Sequence, residues 1–170
     1  MRNSFVRWTL PLLMLVAAFF FLCGTARADG GAPNLAYVAG TAHGISVIDI
    51  AQQKIVTTLS VAGEPDTILL SVDGRLLFVT QPGLNRLTVL APKTKQVVCT
   101  QQLAGRPSLL ALDPGINILY VAGSEGRTVV GLDPTTCRVT RTLQVQSAVS
   151  GLAVAVVGSG LSGGSGNQIW

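Results

Sequence analysis

Histidine and charged side chains are scarce in this 170-residue sequence, which has a single histidine and 12% charged residues. One imidazole, that of His43, cannot build a metal cage of several histidines, and any Ser/His/Asp triad would depend on it alone. No sequence typical of a serine-nucleophile turn accompanies it. We therefore interpret His43 as a surface-loop residue and predict no catalytic residue, no metal ion and no cofactor.

Runs of basic residues are also absent. The net charge is +4, but three of the 12 basic residues (Arg2, Arg7 and Arg27) lie in the first 28 positions, which leaves 9 beside the 8 acidic ones. Nucleic-acid-binding proteins usually present a stripe of lysine and arginine with interleaved aromatic residues. Because no such stripe remains, we expect no nucleic-acid partner.

Residues 1–28 have the layout of a secretory signal peptide. The early arginines precede an apolar run from Leu10 to Cys23, and the small-x-small sequence Ala26-Arg27-Ala28 follows as a cleavage site. The run is about 14 residues long, short of the roughly 20 that an uncleaved helical anchor needs. A lipid anchor at Cys23 is disfavoured because the bulky Leu22 precedes it. The sequence therefore predicts a secreted or periplasmic protein with no membrane segment after cleavage.

The rest of the chain contains a repeat with a period of about 42 residues. A period of this length corresponds to one supersecondary unit per copy. No long segment of helical periodicity occurs there. Segment 45–49 aligns with 87–91 and 129–133, and segment 55–58 aligns with 97–100 and 139–142. The Gly-x-Pro turn at 63–65 recurs at 105–107 but is lost from the third copy. Agreement over four apolar segments in three copies indicates a genuine structural repeat.

Each copy has the pattern of four short strands, at about 36–39, 44–50, 54–61 and 66–72 in the first copy. A four-stranded unit of this length is typical of a β-propeller blade, because one blade exposes two apolar faces that its neighbours bury. A β-solenoid is the alternative, although its repeats are usually shorter. We predict an all-β, partial β-propeller over residues 29–170. Its blade repeats lie at about 36–76, 77–118 and 119–157, with a fourth starting at 167–170.

The first copy, AYVAG…GISVIDIAQQKIVTTLSVAGEPDTILLSVDGRLLFVT, resembles the YVTN-type bacterial β-propeller repeat over its whole length. The second copy lacks the aspartate of the second strand, and the third lacks the Gly-x-Pro turn. The resemblance implies a secreted or periplasmic propeller of seven blades. It also implies kinship with surface-layer proteins, lactonase-like enzymes and the propeller domain of haem-containing nitrite reductases.

Three copies are fewer than the four to eight blades with which propellers usually close. An open arc leaves a blade face and strand edges unpaired, which favours pairing with other chains. We favour the interpretation that the sequence is the amino-terminal piece of a longer protein. Closure by self-association through the open blade edges is the alternative.

Six polar residues are predicted to share the rim on which propellers usually bind ligands. The strands TILLSV, SLLALD and GLAVAV are predicted to be the innermost of their blades, and Glu64, Asp66 and Arg106 precede the first two of them. When the strands of each blade are counted outward from the innermost one, three further residues share one repeat position between the second and third strands: His43, Asn85 and Arg127. A protein or small-molecule ligand could contact this mixed-charge rim. The plainer interpretation is that exposed turns collect such residues in any propeller.

Two cysteines, Cys99 and Cys137, remain after residue 28. Export permits a disulfide between them. Cys137 aligns with Lys95 rather than with Cys99, which predicts that the two cysteines lie on or near the outer strands of adjacent blades at different heights. Because a disulfide needs Cα atoms within about 7 Å, we expect the pair to be unbridged.

These features predict an exported, non-enzymatic binding or scaffold module. A fragment of a lactonase-like or haem/redox propeller enzyme is the first alternative. A surface-layer or adhesion module with purely structural blades is the second.

Overall fold

The computed structural model of the chain describes residues 34–41, 44–155 and 168–169. The predicted signal peptide and His43 lie outside these residues. Every element below belongs to the compact unit Asn34–Trp170. No helix in the described ranges is long and apolar enough to cross a lipid bilayer.

The described chain is built almost entirely of antiparallel β-strands, with one 3-10 turn at Pro82–Leu84. The strands in chain order are β1 (Leu35–Thr41), β2 (Gly44–Asp49), β3 (Lys54–Leu59), β4 (Ile68–Leu70), β5 (Leu77–Gln81), β6 (Arg86–Ala91), β7 (Gln96–Gln102), β8 (Pro107–Asp113), β9 (Ile118–Gly123), β10 (Thr128–Leu132), β11 (Val139–Gln144), β12 (Val154–Ala155) and β13 (Gln168–Ile169).

These strands form four sheets of sequential neighbours, which we call blades A to D. Blades B (β4-β5-β6-β7) and C (β8-β9-β10-β11) have four strands each. Blade A has three (β1-β2-β3), and blade D has two (β12-β13). The predicted four-stranded antiparallel blade is therefore confirmed. The innermost strand is β4 in blade B and β8 in blade C, and each precedes the strand that contains Phe78-Val79 or Tyr120-Val121.

Burial follows the position of each strand within its blade. Every residue of β5 and of β9 is buried, whereas β7 and β11 are largely exposed. Strands that are apolar on both faces pack between neighbouring sheets, while the mixed Thr/Val/Lys segments form the outer strands. The sequence pattern thus assigns inner and outer strands correctly.

The hydrophobic core consists of layers between consecutive blades. Blades A and B meet through Ile45, Leu59, Val79 and their neighbours. Blades B and C meet through a second cluster that contains Phe78 and Leu119. A third cluster lies on the far face of blade C, where it is packed against Val149, Leu152 and Val154. Burial of apolar surface between blades stabilises the stack at roughly 25 cal/mol per Å².

The turn between the last two strands of a blade has the same backbone in three copies. Gln53, Lys95 and Cys137 occupy one repeat position and have φ values of 53°, 60° and 59°. In blades A and C an aspartate supports this turn. The Asp49 carboxylate accepts a hydrogen bond from the Gln52 backbone N–H at 2.9 Å, and Asp133 accepts one from the Thr135 N–H at 2.8 Å.

Cys99 and Cys137 form a disulfide, so the expectation of unbridged cysteines is wrong. Their Cα atoms lie 5.9 Å apart, and the bond joins outer strand β7 of blade B to the last turn of blade C. The repeat alignment correctly places the two cysteines at different positions within a blade. Adjacent blades are offset, however, so that the turn of one blade lies against the outer strand of the preceding blade.

Candidate functional site

A cleft of about 490 Å³ lies between the loops that link β3 to β4, β5 to β6, β7 to β8 and β9 to β10. These are the loops that the repeat predicts on the ligand-binding rim. The cleft is lined by residues of blades B and C and of the loop between blades A and B: Gly63, Glu64, Pro65, Asp66, Pro82, Gly83, Leu84, Arg106, Ser108 and Ser124.

Three of the six predicted rim residues, Glu64, Asp66 and Arg106, line this cleft together. Glu64 and Asp66 lie on the loop before β4, and Arg106 lies on the loop before β8. The cleft therefore presents two carboxylates and one guanidinium group to the solvent. Their role in binding stays a prediction.

Asn85 lies beside the cleft and joins two of its loops. It follows the 3-10 turn in the left-handed region, with φ of 48°, which asparagine tolerates better than most residues. Its side-chain Oδ1 accepts a hydrogen bond from the Arg106 backbone N–H at 3.1 Å, and its carbonyl accepts one from the Leu103 N–H at 2.8 Å. Asn85 thus positions Arg106 rather than lining the cleft.

The other two predicted residues are placed differently. Arg127 is outside the cleft lining, and its backbone carbonyl accepts a hydrogen bond from the Val145 N–H at 2.8 Å. His43 is outside the described residues. Of the five predicted residues that the structure describes, three line the cleft, Asn85 lies beside it and Arg127 lies outside its lining.

Glu125 is a cleft neighbour that the sequence reasoning missed. Its Oε1 lies 3.5 Å from the Arg106 Nε, and both side chains are more than half exposed (65% and 54%). An exposed ion pair of this kind contributes little to stability, about 0–1 kcal/mol. It does place a carboxylate beside the Arg106 side chain, which lines the cleft. Glu125 lies two residues before Arg127 in the same predicted rim loop, and this position in the sequence could have identified it as a rim residue.

A buried polar network fixes the loop that carries Glu64 and Asp66. The Gln81 side chain is fully buried; its Nε2 donates to the Ala62 carbonyl, and its Oε1 accepts from Thr88 Oγ1 at 2.6 Å. Arg86 donates through Nε to Gln81 Oε1 at 2.9 Å and through NH2 to the Ala62 carbonyl at 3.1 Å. The sequence TQPGLNR looks like a loop, so this role of Gln81 was not predicted.

A second anchor lies at the base of the same loop. The Thr67 N–H donates to Thr80 Oγ1 at 2.9 Å, and the Asp66 N–H donates to the Thr80 carbonyl at 3.0 Å. Thr67 Oγ1 in turn donates to the Ser108 carbonyl of blade C at 2.6 Å. The carboxylate side of the cleft is therefore tied to both blades that form it.

A larger cleft of about 650 Å³ lies among the loops of the opposite rim, which include Val72, Asp73, Arg75 and Pro134. Hydrogen bonds from the Ser71 hydroxyl and from the Arg75 backbone N–H lower the pKa of Asp73. Both donors belong to the tight turn that contains Asp73 itself. We therefore assign this carboxylate to the support of the turn.

No group of three or more His, Cys, Asp or Glu side chains suited to a metal ion occurs within residues 34–41, 44–155 and 168–169.

Neither a family model nor a curated protein matches the sequence. Solved structures do match the fold. Hydrazine synthase of Kuenenia stuttgartiensis is 18% identical with a TM-score of 0.64, over 70% of this chain and 35% of that one. A structure of dihydro-heme d1 dehydrogenase NirN in complex with DHE is 17% identical with a TM-score of 0.61, over 71% and 27%.

A chain of the mitotic checkpoint complex is 18% identical with a TM-score of 0.58, over 70% of this chain and 36% of that one. This chain therefore spans about a third of the length of the chains that it matches. At such identities the likeness concerns the fold alone. The chain has an all-β fold of antiparallel propeller blades, and its described residues form two complete blades and parts of two more.

Proposed function

We propose that the protein is an exported, YVTN-like β-propeller repeat protein that acts as a binding or scaffold module without catalytic activity. The observation that supports this function is the rim cleft, in which Glu64, Asp66 and Arg106 from consecutive blades face one opening. Gln81 and Thr80 anchor the loop that carries Glu64 and Asp66, and Asn85 holds the backbone of Arg106. A rigid rim with exposed, mixed charge suits recognition of a protein segment.

The charges of the cleft indicate what such a segment carries. Arg106 is already paired with Glu125, whereas Glu64 and Asp66 lie on a single loop on the other side. A lysine or arginine side chain of a partner would therefore be attracted to Glu64 and Asp66. Gly83, beside which the space for a side chain is empty, and the small Ser108 and Ser124 leave room for the partner's backbone.

The exposure of the cleft argues against acid–base catalysis there. A carboxyl group that acts as a general acid or base near neutral pH is usually desolvated, because burial raises its pKa into that range. Glu64 is exposed on the surface loop before β4. The alternatives of a lactonase-like or haem/redox enzyme fragment, and of a surface-layer module, depend on the sequence resemblance alone.

The disulfide supports the proposal of export. Disulfides persist in secreted and periplasmic proteins and are rare in the reducing cytosol. We propose that residues 1–28 are removed during export. The amino-terminal sequence of the protein purified from cells would then begin at Asp29, and an intact amino terminus would contradict the proposal.

Selection from a displayed random-peptide library tests the binding function. The chain is expected to enrich peptides that contain lysine or arginine. E64Q/D66N is expected to bind them up to about tenfold more weakly, because it removes two exposed charges that can each contribute about 0–1 kcal/mol. D49N is the matched control, because Asp49 lies at a turn on the opposite rim. Equal binding by E64Q/D66N and the unmodified chain would overturn the proposal.

A further inference from the structure

The cleft of about 650 Å³ on the opposite rim is formed by the two complete blades. The β4–β5 turn of blade B meets the β8–β9 and β10–β11 turns of blade C there. The floor of the cleft is apolar, because four buried or half-buried side chains line it: Leu76, Phe78, Ala91 and Leu112. Clefts of this volume, with an apolar lining and a few polar groups, are typical of small-molecule sites.

The cleft also exposes apolar surface to the solvent. Val72 lines it and is 82% exposed. Pro114, the repeat equivalent of Val72 in blade C, is exposed and lines the cleft as well. An apolar side chain this exposed beside an apolar floor favours a ligand with an apolar body, because such a ligand would remove both surfaces from water.

Three of the polar side chains that line the cleft are occupied by their own turns. The Ser71 hydroxyl donates to Asp73 Oδ1 at 2.6 Å, and the Arg75 backbone N–H donates to the same oxygen at 3.0 Å. In blade C, Thr135 Oγ1 donates to Asp133 Oδ1 at 2.6 Å. The side chains of Ser71, Asp73 and Thr135 therefore support the walls of the cleft.

Arg75 and Asn117 are the two remaining polar residues of the lining, and they occupy equivalent positions in successive copies of the repeat. The Arg75 side chain is 79% exposed, and its one ionic contact in the described chain joins Nε to Asp73 Oδ2 at 3.8 Å. That distance is longer than a hydrogen bond, so the N–H donors of the guanidinium group stay available. Within the same described ranges the Asn117 side chain makes no hydrogen bond. Both blades therefore offer N–H donors to the cleft.

Both walls of the cleft are fixed within the folded chain. The turn that contains Thr135 is bonded to blade B through the Cys99–Cys137 disulfide. The facing turn of blade B is closed by a hydrogen bond from the Leu76 backbone N–H to Ser71 Oγ at 2.9 Å. A cleft held in this way binds a ligand with little loss of conformational freedom.

We propose that this cleft binds a carboxylate that carries an apolar body. The body lies on the floor that includes Phe78 and Leu112, and the carboxylate accepts hydrogen bonds from Arg75 and Asn117. A guanidinium group can pair with a carboxylate through two parallel N–H···O bonds, and it has donors on more than one edge. Arg75 can therefore keep Asp73 on its Nε side and bind the ligand through its two terminal nitrogens.

Titration of the full chain with phenylbutyrate, followed by the side-chain N–H signals in NMR spectra, tests the proposal. The Arg75 Nε–H and Asn117 side-chain signals are expected to shift and to saturate. The carboxamide of the same acid keeps the apolar body, and acetate keeps the carboxylate. Each should bind at least about fivefold more weakly, because each lacks one of the two contacts. Equal binding by the carboxamide, or no saturable shift at Arg75 and Asn117, would overturn the proposal.

A pair of variants with the same change in charge locates the site. R75M is expected to bind phenylbutyrate about fivefold more weakly, as the loss of an exposed charge pair allows. R138M is the matched control and should bind like the unmodified chain, because Arg138 is an exposed basic residue outside the cleft lining. Equal losses in both variants would contradict the assignment. E64Q/D66N should also bind phenylbutyrate normally, which separates this proposal from the function proposed for the other rim.

Peptides distinguish a free acid from a protein carboxyl terminus as the source of the carboxylate. The tripeptide glycyl-glycyl-phenylalanine presents the same chemistry at a chain end. Tighter binding by the tripeptide than by phenylbutyrate would assign the cleft to chain ends, and the reverse order would assign it to free acids. Either order supports the proposal if R75M weakens the binding. A tripeptide with an amidated end that binds as tightly as the free acid would contradict it.

Discussion

The Lys95 ammonium group donates a hydrogen bond to Thr57 Oγ1 at 2.6 Å and thereby joins the last turn of blade B to the outer strand of blade A. One blade later, the Cys99–Cys137 disulfide makes the same connection. Thr57 and Cys99 occupy equivalent positions in successive copies of the repeat, as do Lys95 and Cys137. The two contacts are therefore one repeated interblade clasp, made by a hydrogen bond in the first case and by a covalent bond in the second.

Removal of the covalent clasp is expected to destabilise the fold. C99S/C137S should lower the free energy of unfolding by about 2–4 kcal/mol, because the disulfide closes a loop across a sequence separation of 38 residues. Urea unfolding followed by circular dichroism measures the change. The matched control is T57A/K95M, which removes an exposed hydrogen bond and should cost about 1 kcal/mol or less. Equal losses in both variants would show that the disulfide is not the stronger clasp.

The equivalence of the two clasps predicts that a second disulfide can replace the first clasp. T57C/K95C is expected to oxidise without disturbing the fold, since position 95 has the same left-handed backbone as Cys137. Free-thiol titration of the denatured protein should give the same value as for the unmodified chain. The single variant T57C should show one additional thiol. Two additional thiols in the double variant would contradict the equivalence.

Gln81 is expected to stabilise the cleft loop as well as the fold. Q81L removes the acceptor of the buried Thr88 hydroxyl and of the Arg86 Nε, which should lower the free energy of unfolding by about 1–3 kcal/mol. Protease cleavage near Gly63 should also become faster, because the loop loses an anchor. Q96A, at an exposed strand end, is the control and should change neither quantity. An unaltered cleavage rate in Q81L would show that the network does not hold the loop.

The Asp133 carboxylate is expected to make the folded state less stable in acid. Hydrogen bonds from the Thr135 hydroxyl, and from the backbone N–H groups of Thr135 and Thr136, lower the pKa of its carboxyl group. The folded state therefore favours the ionised form. This contribution is present above the unfolded pKa of about 4 and is lost as the pH falls through the lower folded pKa.

The difference between the unmodified chain and D133N in thermal unfolding measures this contribution. The unmodified chain should have the higher Tm at about pH 6, and the difference should shrink as the pH falls below about 4, where the carboxyl group protonates. D66N is the control, because Asp66 is not held by backbone N–H groups of a turn as Asp133 is. A difference that stays constant with pH would rule out the ionised form as the cause.

The strand order and the position of the rim could be predicted because they follow from the repeat itself. Period and apolar pattern place β5 and β9 inside, and Glu64, Asp66 and Arg106 on one rim. The inner strand β4 is shorter than the expected 66–72, since Asp66 and Thr67 are bonded to Thr80 as a loop anchor.

The remaining features depend on contacts between blades or on buried side chains. The disulfide was missed because the repeat alignment gives the position of each cysteine within its own blade. It does not show that the last turn of blade C lies against the outer strand of blade B. Gln81 was missed because a glutamine before Pro-Gly has the sequence of an exposed loop. The cysteines and Gln81 are replaced by other residue types at the equivalent positions of the other copies, so comparison of the copies could not identify either contact.

Gln53, Lys95 and Cys137 share a left-handed backbone, so the conformation of the turn does not depend on which side chain makes the contact with the preceding blade. Because φ at this position is nearly the same for a glutamine, a lysine and a cysteine, the contact between two blades can be changed by substitution there without a change in the blade itself. Pulled apart from its ends, the molecule should part at the seam between blades A and B while the covalently joined pair B and C stays together.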